Sequence, residues 1–155
     1  MITKEVVYNF SRGLGAAGSL GLAASFVADL LTDMNTDRAL TASLLTYSAA
    51  NAVSAATHTE TIITADADGL LHFKPDLAER MDYGMMSAAS GLIGASRLAP
   101  HGGGAQLALM AVGGPLALAS LVLPRGAKAA LAEKIGAAAR AIRNAFSNNN
   151  NMMLR

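Results

Sequence analysis

Residues 104–123 constrain this chain more than any other stretch. The run GAQLALMAVGGPLALASLVL carries no charged side chain. A helix of twenty residues rises about 30 Å, the thickness of a bilayer's hydrocarbon core. Its six Leu and two Val favour insertion by about 3–4 kcal/mol. Arg125 then closes the run. The expectation is a membrane span, and the other segments are read for whether they can live beside one.

Composition agrees. Charged residues make up 15% of the 155 and hydrophobic residues 52%, against about 25% charged in an ordinary soluble domain. A chain this short has a large surface to cover, so missing charge is a real deficit. The mean hydropathy, +0.36, is modest because Ala, Gly, Ser and Thr fill the apolar segments in place of Leu and Ile. A net charge of +1 supplies no global field for nucleic acid. The absence of cysteine excludes disulfides, thiolate metal sites and a cysteine nucleophile.

Three further segments resemble the first more weakly. Residues 13–31 are uncharged up to Asp29. Ala17, Gly21 and Ser25 recur at every fourth position, which predicts a face of small side chains where two helix backbones can approach closely. Glu5 and the glycines argue against residues 13–24 as the apolar part of a signal peptide. The run Gly13-Leu-Gly15-Ala-Ala-Gly18 matches a dinucleotide-binding fingerprint. That motif needs a strand before it and a second strand leading to an acidic residue about 20 positions on. Only Val6–Phe10 offers a first strand, and a polar turn stands where the second belongs, so the glycines are read as packing residues.

Residues 39–57 are uncharged but rich in Ser and Thr, with Asn51 among them. They favour insertion by only about 2 kcal/mol and suit a membrane only as the inner member of a bundle, their polar atoms bonded to neighbours. Residues 83–100 place Ser87, Gly91 and Ala95 on another small-residue face, and Arg97 lies near the segment's end. Pro100-His-Gly-Gly-Gly104 is a strong reversal, so residues 83–124 read as a helical hairpin whose second arm Gly113-Gly114-Pro115 interrupts.

Between the second and third segments, residues 61–73 change character. Thr61-Ile-Ile-Thr and Leu70-Leu-His-Phe are β-prone, and Asp68-Gly69 is a good hairpin turn. A short β-hairpin is the leading reading; a loop, or a helix running through Thr64, are the alternatives. Pro75 is expected to open the next helix. Residues 125–146 form a basic amphipathic helix in which Leu131, Ile135, Ala138, Ile142 and Phe146 fall within about 80° of one another. Lys128, Lys134, Arg140 and Arg143 are its candidate membrane-surface residues. The asparagine run in residues 147–155 is expected to be a disordered tail.

The expected fold is therefore all-α: a small polytopic membrane helical bundle over residues 1–124 with up to four apolar segments, followed by the amphipathic helix and tail. No nucleophile–base–orienter spacing suggests catalysis. Asp66-x-Asp68-Gly69 resembles the start of a calcium loop but lacks its closing Glu. No metal and no cofactor are expected. Asp29, His58 and Arg97 would mark a polar path if they faced the bundle interior; near segment ends, interfacial solvation is the simpler reading.

The leading function is a non-enzymatic membrane protein that works by assembling, of the permeabilising holin kind or as a membrane component of a virion or secretion apparatus. Its partners would be the lipid bilayer and further copies in a homo-oligomer or larger assembly, with no nucleic acid and no small-molecule substrate. The alternative is a soluble all-α structural subunit whose Ala-rich helices bury themselves in an oligomer or on a partner. A third reading, a small membrane enzyme or carrier, would rest on His58 and Glu60.

Overall fold

Each long uncharged run lies in one helix, and the first four helices pack antiparallel, with a β-hairpin between the second and third. The computed structural model describes residues 3–31, 36–58, 60–65 and 67–153, with side chains described as far as residue 145. In order, the elements are α1 (Lys4–Leu31), α2 (Asp37–Thr57), β1 (Thr61–Ala65), β2 (Leu71–Pro75), α3 (Leu77–Leu98), α4 (Gly104–Val122) and α5 (Arg125–Met153).

The first four helices stand in a row. Among the described residues the backbone of α1 lies along α2, that of α2 along α1 and α3, and that of α4 along α3. The register follows from close approaches. Ser11 meets Ser54 at the start of the α1–α2 seam, and a Cβ on Gly18 would lie 3.1 Å from the Tyr47 backbone further along it. On the next seam Ser48 Oγ donates to the Ser87 carbonyl at 2.8 Å. On the last, Gly113 lies against Ala89, Leu92 and Ile93. The N-terminal turns, the hairpin, the start of α3 and the start of α5 therefore share one end, the near end. The connections around residues 32–36 and 99–103 share the far end. There Gly102, at φ +73°, makes the reversal into α4.

The row is built inside out. Among the described residues no Leu, Ile, Val or Phe is buried. Beside Tyr8 and Met85, the buried positions include Ala50, Ala78 and Ala89, with Ser11, Ser25, Ser54, Ser90, Ser96 and Ser120 and the glycines 18, 94 and 113. The largest fully buried side chains are Ser54 and Ser96. Small residues let the backbones approach closely, and Ser11, Ser54, Ser90, Ser96 and Ser120 make hydrogen bonds across or along the seams. The large apolar side chains point outward: Leu20 is 72% exposed, Leu31 78% and Leu121 75%.

Several boundaries differ from the sequence reading. α1 begins at Lys4, so of the strand and the helical turns open to Val6–Phe10 it takes the helix, and the Gly13–Gly18 glycines sit inside it as the packing reading expects. The hairpin forms in the register Thr61↔Pro75 to Ala65↔Leu71, with Gly69 at φ +77° in its turn. Pro75 ends β2. The cap of α3 is Asp76, whose Oδ1 accepts from Glu79 N, a carboxylate where first-turn amides lack partners. α4 runs unbroken through Pro115, with Gly113 and Gly114 just ahead of the ring. α5 continues to Met153, through the asparagines expected to be a tail. It crosses the first turns of α3, held by ion pairs Arg125–Asp76 and Lys128–Asp82.

Candidate functional site

Two features of this row are candidates for function: its apolar flanks and a polar junction at the near end.

The flanks are the outward faces of α1 and α4. These two helices are long and apolar enough to cross a membrane, and only 11% of the apolar stretch of each is buried. α3 carries Glu79, Arg80, Asp82 and Arg97, and α2 is weakly apolar. Both lie inside the row, where five polar side chains of α2 find partners. Ser54 pairs with Ser11 at 2.8 Å, Ser48 with Ser87 O, and Asn51 Nδ2 donates to Tyr47 O at 2.7 Å. Thr41 and Thr57 donate to carbonyls one turn back. Of these, only Ser48 and Ser54 bond to neighbouring helices; Thr41, Asn51 and Thr57 bond within α2.

The predicted packing residues distribute unevenly. Gly21 and Ser25 face α2: a Cβ on Gly21 would lie 2.5 Å from Ser43 Oγ, and Ser25 is buried. Ala17 is exposed. The face that packs runs Tyr8, Ser11, Gly15, Gly18, Leu22, Ser25, alternating steps of three and four. A strict every-fourth stripe advances about 40° per step around a helix and leaves the seam. On α3, Ser87 and Gly91 meet Ser48 of α2, and Ala95 is half-buried.

The polar junction joins α1, the end of α2, the residue before the hairpin, and α3. The Tyr8 hydroxyl is its centre, with His58 Nδ1 at 3.1 Å, Glu60 Oε1 at 3.3 Å and the Tyr83 hydroxyl at 3.3 Å. Tyr83 donates to Glu79 Oε1 at 3.1 Å. Tyr8 packs edge-on against His58 and Tyr83, with ring centroids 5.3 and 6.2 Å away. Tyr8 stands in the polar first turns of α1, ahead of the uncharged run from Gly13. Burial pushes its phenol well above its ordinary pKa, reinforced by the Tyr83 hydrogen bond and by the nearby Glu79 and Glu60 carboxylates. It therefore keeps its proton across physiological pH. The Tyr8 hydroxyl donates to Glu60 Oε1, and its oxygen can accept from His58 Nδ1. His58 Nε2 is buried without a hydrogen-bond partner and faces Glu79 Oε2 at 4.0 Å. Glu60 also pairs with Arg12 at 3.2 Å, with side chains 51% and 48% exposed, a pair worth little by itself. The junction ties four segments with fixed donors and acceptors. Among the described residues no three His, Asp or Glu side chains gather to hold a metal.

The sequence singled out His58 and Glu60 but missed Tyr8, Tyr83 and Glu79 as their partners. Glu60 and Tyr83 lie 52 and 75 residues along the chain from Tyr8, and no local spacing reveals such a meeting. Of the predicted membrane-surface residues, Lys134, Arg140 and Arg143 are exposed. Lys128 is buried: its Nζ donates to Ser120 O at 2.7 Å and pairs with Asp82. The apolar stripe of α5 is exposed, Leu131 by 37%, Ile135 by 51% and Ile142 by 58%; the Phe146 side chain lies outside the described residues. α5 meets α3 through its Lys128–Ala129–Ala132 side instead.

Comparison of the chain with protein-family models, with curated proteins and with solved structures gave no match.

Proposed function

We propose that this chain is a non-enzymatic membrane protein whose row of helices is embedded in a bilayer and works by assembling with further copies. The observation that carries the reading is the inverted distribution of side chains: Ser, Gly and Ala inside, Leu, Val and Phe outside. In water, burial of large apolar side chains is the main stabilising term; here Tyr8 and Met85 are the large ones buried among the described residues, and Leu22, Leu44, Leu92 and Ile93 are covered only in part. In lipid the outward Leu and Phe need no cover, and close backbone packing with interhelical hydrogen bonds holds helices together. In this reading α1 and α4 face lipid, and α2 and α3 cross between them as the polar inner pair. A permeabilising protein of the holin kind, or a membrane component of a virion or secretion apparatus, fits such a small helical unit.

Fractionation tests this. The protein should stay with membranes after an alkaline carbonate wash. Val112→Arg with Leu118→Arg should release it, because both side chains are more than half exposed and each charge costs about 2.5–3.5 kcal/mol near a span's centre. A double variant that keeps full membrane retention would sink the reading. A wild type that is soluble and oligomeric would favour the alternative, a soluble structural subunit.

A further inference from the structure

α2 and α4 do not touch each other; both lean on α3. At the far end this leaves a groove of about 520 Å³ with α3 as its floor, within the size range of ligand sites. Leu45, Ile93 and Met110 make its apolar depth, and Arg38, His101 and Gln106 stand around it. Resting on the membrane placement proposed above, the geometry points to a binding site for an anionic phospholipid: one acyl chain along the groove and the phosphate at Arg38.

Charge and donor chemistry select this occupant. Among the described residues lining the groove the one carboxylate, Asp37, is already paired with Arg97. Arg38 and His101 make no hydrogen bond or ion pair with any described residue. Gln106 Oε1 accepts from Gly102 N at 2.8 Å, which leaves its side-chain N–H₂ to donate. The first turns of α2 and α4 both open at this mouth, and neither has a side-chain cap, so the positive ends of two helices lie there. The C-terminus of α3 is also present, answered by Arg97. Donors exceed acceptors, which matches a phosphate's oxygens, and Arg38 supplies the charge-assisted contact. From Arg38 to Leu45 the helix rises about 10 Å, so the apolar depth lies below the headgroup level, where an acyl chain begins.

The test uses the full chain in detergent micelles, titrated with phosphatidylglycerol or phosphatidylcholine of identical chains and read by native mass spectrometry. Wild type should retain phosphatidylglycerol roughly tenfold more strongly, the increment expected of one charge-assisted contact. Arg38→Ala should remove the preference and Arg38→Lys should keep part of it. Ala42→Trp, which fills the groove, should weaken retention of both lipids. Equal retention of the two lipids by wild type, or a preference that survives both Arg38→Ala and Ala42→Trp, overturns the site. Loss of an oligomer in Ala42→Trp with lipid preference intact also overturns it, since the groove is then a contact with a second copy. Failure of the membrane reading would appear separately, as a wild type that leaves the membrane fraction on carbonate washing.

Discussion

The smallest residues decide the packing of this row. At Gly18 an added Cβ would lie 3.1 Å from the Cα and N of Tyr47, backbone that can yield only by moving α2. At Gly13, on the same helix, an added Cβ meets nothing within 4 Å. Gly18→Ala should therefore destabilise the protein by about 1–3 kcal/mol through overpacking. Gly13→Ala should be neutral or stabilise it by up to about 1 kcal/mol through helix propensity. Thermal unfolding of the two variants in the same detergent checks this, and equal behaviour would contradict the packing role. The presence of close-packing small residues was legible in the sequence. Which of them face the seam was not: Ala17 and Gly18 are neighbours, yet one is exposed and the other buried, and only the position of α2 distinguishes them.

At the scale of the element, α5 stands apart. Its basic, amphipathic pattern was readable from periodicity alone, and the stripe Leu131, Ile135, Ile142 is exposed. Lys128, which the sequence would place at a lipid surface, is instead drawn into the bundle by Asp82 and the Ser120 carbonyl. The remaining cations, Lys134, Arg140 and Arg143, are exposed, and each would add about 1 kcal/mol near an anionic bilayer, weakened by salt. A peptide of residues 126–146 should be unstructured in buffer and become helical on anionic vesicles, with binding that falls as salt rises. A peptide that stays disordered with vesicles would leave α5 as a packing helix of the bundle alone.

For the whole molecule, the antiparallel row sorts charge between its ends. Lys4, Arg12, Lys74, Arg80, Arg125, Lys128, Lys134, Arg140 and Arg143 belong to the near-end elements; Arg38 and Arg97 belong to the far end. Cationic ends of membrane bundles stay in the cytoplasm, so the hairpin, α5 and the N-terminal turns should lie inside. Single cysteines at Lys4, Lys74 and His101, three exposed positions in a cysteine-free chain, test this in intact cells. An impermeant thiol reagent should label His101→Cys and leave Lys4→Cys and Lys74→Cys unreacted. Labelling of Lys74→Cys from outside would contradict the orientation.

The sequence by itself determined what depends on neighbours along the chain. The uncharged runs, the glycine and proline reversals, the Asp68-Gly69 turn and the α5 stripe all follow from local spacing, because helix and turn geometry is set within a few residues. Tertiary structure alone decided what depends on meetings across the chain. It converted residues 39–57, too polar to stand alone, into an inner helix by giving Ser48 and Ser54 their partners. It assembled Tyr8, His58, Glu79 and Tyr83 from three helix ends, and it opened a groove where α2 and α4 fail to meet. The physical reason is the same in each case: a hydroxyl, an imidazole or a small side chain has little preference of its own, and the group facing it, from a segment dozens of residues away, sets its role.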